Sequence, residues 1–165
     1  MQPSRELGPL GGLLEAASRG MALIGGGVLV GITAVAVGSI LSRALFEEPL
    51  LGDFELVQFG CAVSISCFLP YTQWRRANLI VDFFTTRASP RVQGLLDRLG
   101  SALLGLVMVL LAWRVGVGAS ELRSYQETSM ILGIPTWWAY AVISPSFALT
   151  ALVSFYIALV PGAVR

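Results

Sequence analysis

The chain has 165 residues, 55% of them hydrophobic and 13% charged, and its mean hydropathy is +0.75. Eleven basic and ten acidic residues leave a net charge of +1, which excludes the strongly basic surface of a nucleic-acid binder. So few charges cannot clothe a water-soluble domain, and they fall between long uncharged runs, so the chain reads as a single membrane domain.

Residues 1–18 come first, and are expected on the cytoplasmic side. Leu7, Leu10, Leu14 and Ala17 recur there at helical spacing with Glu6, Glu15 and Ser18 elsewhere, which predicts a short helix lying on the membrane surface. The run between Arg19 and Arg43 has 23 uncharged residues, longer than the roughly 7 to 15 of a signal-peptide core, so it is expected to persist as a first span, about residues 20–44. A second span, about 56–74, follows the acidic stretch of Glu47, Glu48, Asp53 and Glu55.

Residues 75–96 form an arginine-rich loop. Within it Leu79, Ile80, Phe83 and Phe84 share one helical face, and Asn78, Asp82 and Thr85 the other, predicting a second surface helix. Ser89 followed by Pro90 reads as a helix cap with proline in the first turn, so the third helix is expected to begin near Pro90. Its span, about 97–121, is interrupted by Arg114, and a fourth span covers about 136–160. The fold class is therefore an all-α integral membrane protein with four transmembrane helices and short amphipathic surface helices.

Basic residues stay on the cytoplasmic side of a membrane. Arg75, Arg76, Arg87, Arg91 and Arg98 place the second loop there, whereas the first and third loops are acidic or balanced, so both termini are expected inside. Tyr71 and Trp74 would then mark the inner interface, and Trp113, Trp137 and Trp138 the outer one.

Histidine is absent, which removes histidine-ligated haem and histidine metal sites. Cys61 and Cys67, six apart on one helix, point roughly 120° away from each other and read as small buried apolar residues. Paired carboxylates within a span, nucleophile pairs and phosphate-binding glycine motifs are lacking too, so neither an enzyme nor a bound cofactor is expected.

Arg114 needs an answering charge, and Asp53 and Glu55 at the start of the second helix are the expected partners, holding the second and third helices in register. A snorkelling Arg114 is the alternative. Arg75, Arg76 and Asp82 are expected to fix the inner surface segment. Small residues recur every four positions, as Gly27 and Gly31, Ala34 and Gly38, and Ala112, Gly116 and Ser120, for close helix packing within the chain or against a partner. Pro70 and Pro145 should bend their helices.

Taken together, these features give a chain that resembles the small membrane subunit of the tripartite ATP-independent periplasmic (TRAP) transporters, the Q or DctQ-like family. The likeness rests on four helices, on Gly52-Asp53-Phe54-Glu55-Leu56, on the stretch Leu69 to Phe84 (LPYTQWRRANLIVDFF), and on Glu127-Thr128 through Ile131-Leu132-Gly133-Ile134-Pro135-Thr136-Trp137-Trp138. Relatives often carry a histidine in the second stretch, where this chain reads Asn78-Leu79-Ile80-Val81-Asp82.

The resemblance implies a non-catalytic scaffold in the bacterial inner membrane. Its partners would be a large membrane subunit carrying the substrate and sodium sites, a periplasmic solute-binding protein and membrane lipid, and the cargo a small organic acid anion. The segment from Glu127 to Trp137 and Trp138 is then either a simple helix start with an aromatic belt or a contact for the binding protein. An autonomous small oligomeric channel or carrier is the alternative reading, and a membrane anchor for a respiratory enzyme a third.

Overall fold

The computed structural model describes residues 8–47, 50–75 and 90–160. Four helices account for most of them: α1 (Pro9–Phe46), α2 (Asp53–Trp74), α3 (Pro90–Ser124) and α4 (Trp137–Leu159). Each is long and apolar enough to cross a membrane. At 1.5 Å per residue α2 and α4, with 22 and 23 residues, reach about 33 Å and match the roughly 30 Å hydrocarbon layer. The 38 and 35 residues of α1 and α3 reach about 57 and 52 Å and must overshoot it. Both α2 and α4 continue through their internal prolines, Pro70 and Pro145.

The helices form a row. In it α1 packs on α2, α2 on α4 and α4 on α3, with a light touch between α1 and α4; among the described residues α3 meets neither α1 nor α2. The connections α1–α2 and α3–α4 lie at one end of the row, called here the connection end, and α1 begins and α4 finishes at the opposite, terminal end.

A seven-residue repeat sets the α1–α2 seam. Gly11, Ser18, Gly25 and Ser39 are the buried residues of α1, and Asp53, Gly60, Cys67 and Trp74 recur at the same interval on α2. The partners run antiparallel: Ser39 meets Asp53, Ile32 fills the space a side chain on Gly60 would take, and a Cβ on Gly25 would lie 2.8 Å from Cys67 Cβ. Small residues let two backbones close up where lipid supplies no hydrophobic drive between helices. Along α3–α4, Phe155 lies against Gly105, and Ser144 sits between Ala112, whose carbonyl accepts its hydroxyl at 2.9 Å, and Gly116.

Two expectations change here. From Pro9 to Ser18 the segment ahead of the first span is the start of α1 itself and not a separate surface helix; Gly11 and Ser18 are buried and Leu14 packs against the cluster of Trp74, Val153 and Ile157, which docks the first turns onto α2 and α4, while Glu6 and Leu7 lie outside the described residues. The small-residue stripes also part ways. Ala112 and Gly116 serve packing inside the chain, whereas Gly27 and Gly31 have nothing within 4 Å of where a side chain would begin. The expected surface helix at 78–86, with Arg76 and Asp82, lies outside the described residues.

Candidate functional site

The polar chemistry gathers at the first turn of α2. Gly52 precedes it with φ of +78°, and Asp53 and Glu55 follow, two carboxylates where exposed N–H groups favour negative charge. Any side chain on Gly52 would collide with Leu132, so only glycine admits both this backbone and this neighbour. Asp53 turns towards α1. Its carboxylate accepts the hydroxyl of buried Ser39 and, at 2.7 Å, the N–H of Phe54.

Glu55 turns the other way, towards the connection between α3 and α4. That connection is a tight hairpin: Thr128 bridges Pro135, the Ser129 N–H donates to Ile134 O at 2.9 Å, the Thr136 N–H donates to Glu127 O at 3.1 Å, and Gly133 takes φ of +66° near its tip. The turn leaves the N–H groups of Ile131 and Leu132 without partners of their own. Glu55 supplies them, each carboxylate oxygen accepting one N–H at 3.0 Å. Backbone donors rarely go unpaired, so this two-toothed grip fixes both the height and the tilt of the hairpin.

The partners differ from the expected ones. Asp53 and Glu55 tie helices together, but to Ser39 on α1 and to the hairpin rather than to Arg114. Arg114 projects from α3, which does not touch α2, and is exposed. Arg75 closes α2 with its N–H on Tyr71 O at 2.9 Å and is exposed.

Glu127 contributes its main chain to the hairpin. Trp137 and Trp138 open α4 in an edge-on pair with centroids 6.2 Å apart, and the Arg123 guanidinium sits 5.3 Å above the Trp137 ring. Trp113 lies eleven residues before the end of α3. At the terminal end Trp74 stacks on Tyr156 at 6.0 Å. Among the described residues no three potential metal ligands come together.

The two segments that meet through Glu55 are the first and third stretches on which the family likeness rests. The family described as tripartite ATP-independent periplasmic transporters, DctQ component, matches residues 32–161. The chain belongs to the DctQ family. This makes it a small membrane component of TRAP transporters, a transporter family and not an enzyme family, and a multi-pass membrane protein. The match spans both carboxylates, the hairpin and all of α2, α3 and α4. No curated protein and no solved structure is similar enough to the chain to count as a match.

Proposed function

We propose that this DctQ protein is the non-catalytic scaffold of a sodium-driven uptake system for small organic acid anions, bracing the large membrane subunit and working with a periplasmic solute-binding protein. The observation that carries this reading is the row itself. A solute path needs a ring of helices around it, and among the described residues α3 contacts only α4, so the four helices have a wall's shape and not a tube's. Its seams are filled by small side chains whose hydroxyls bond mostly to their own helix, as Ser146, Thr150 and Ser154 do to the carbonyls four residues back. That leaves little with which to bind cargo.

The arginines of residues 75–98 support an inner-membrane placement with both termini cytoplasmic, which puts the Glu55-held hairpin on the periplasmic side, where a binding protein arrives. Reconstitution tests the reading. Vesicles containing the large subunit, the binding protein and this chain should take up substrate on a sodium gradient, and omission of this chain should abolish uptake. Full uptake and normal assembly without it would overturn the scaffold role, as would solute flux through the purified chain alone.

A further inference from the structure

Two donors on α3 stand where lipid cannot answer them. Arg114 is exposed, and beside it Trp113 is 70% exposed. Among the described residues no side chain or carbonyl pairs with either. Their depth follows from the seam with α4: Ala112 and Gly116, flanking Arg114, both meet Ser144, seven residues into a helix of 23 uncharged residues. Arg114 therefore sits about 10 Å inside the start of α4, roughly a third of the way across the hydrocarbon.

Side chains on a helix lean towards its N-terminus. The N-terminus of α3 is at the far end of the row, so the Cα–Cβ bond of Arg114 sets out towards mid-membrane and away from the nearer headgroups, and snorkelling would have to turn the side chain back against it. A bare guanidinium at that depth is costly, and the indole N–H adds a second unmet donor. Below them Leu99, Leu103, Leu106 and Leu110 continue the same exposed face, each more than half accessible.

We infer that this face of α3 is covered by protein: a membrane-embedded helix of the large subunit that presents an acidic side chain to Arg114. The inference rests on the scaffold reading above, and it goes further by naming the helix, the face and the charge. Arginine and tryptophan are also residue types that concentrate binding energy in protein interfaces.

The test uses the whole complex, co-expressed and captured through a tag on this chain. Arg114→Ala should lower the recovered large subunit by at least about thirtyfold, the low end of what losing one partner of a desolvated charge pair costs, while Arg114→Lys retains most of it. A photo-reactive residue at exposed Leu110, which leaves Arg114 in place, should cross-link to the large subunit. Unchanged recovery with Arg114→Ala, or adducts to lipid alone at Leu110, would overturn the inference while wild-type recovery keeps the scaffold reading intact. Failure of the wild-type chain to recover any large subunit would overturn both.

Discussion

The two ends of the row are held by different physics. At the connection end, Asp53 and Glu55 sort their partners by hydrogen bonding, one taking the Ser39 hydroxyl and the other two main-chain N–H groups. At the terminal end, Trp74, Tyr156, Leu14, Val153 and Ile157 close against each other by packing, and the buried Ser18 hydroxyl has no hydrogen-bond partner among the described residues. Directional bonds set register and tilt, while packed area sets how firmly the helices adhere. The contrast predicts that damage at one end is global and at the other local.

Trp74→Ala should sharpen it most. Emptying a 4%-exposed tryptophan site removes the stack on Tyr156 and should cost about 3 kcal/mol, read as a lowered unfolding midpoint in detergent. Next comes Gly60→Ala, which drives a methyl into Ile32 and should cost about 1–3 kcal/mol while weakening the α1–α2 seam, visible as reduced cross-linking between cysteines placed across it. Glu55→Ala should leave the midpoint nearly unchanged but greatly speed amide exchange at Ile131 and Leu132, the two N–H groups it frees. If exchange accelerates evenly along α3 and α4 instead, the connection end is not a local device. The smallest effect belongs to Ser18→Ala, within about 1 kcal/mol of wild type or slightly stabilising, because it deletes a buried hydroxyl that has no partner among the described residues.

The helices and the family likeness were legible because charge-free runs and arginine placement are local signals. Asp53 and Glu55 stood out for the same reason, as carboxylates at a helix start. Their partners did not. Ser39 and the amides of Ile131 and Leu132 lie 14 and about 76 residues away in the chain, and no periodicity reports which loop returns to which helix. A pairing of Arg114 with those carboxylates assumed that the second and third helices touch, and the row separates them. The four-residue glycine stripes drew attention, yet the α1–α2 seam follows the seven-residue repeat Gly11, Ser18, Gly25, Ser39, which is readable in the sequence once sought.

Glu55 grips amides, and every residue type except proline carries one. The outward side chains of the hairpin therefore owe nothing to its anchorage, and Met130, wholly open to its surroundings, owes least. A fluorophore or epitope grafted at that tip would report on whatever approaches it while the frame beneath stays as it was.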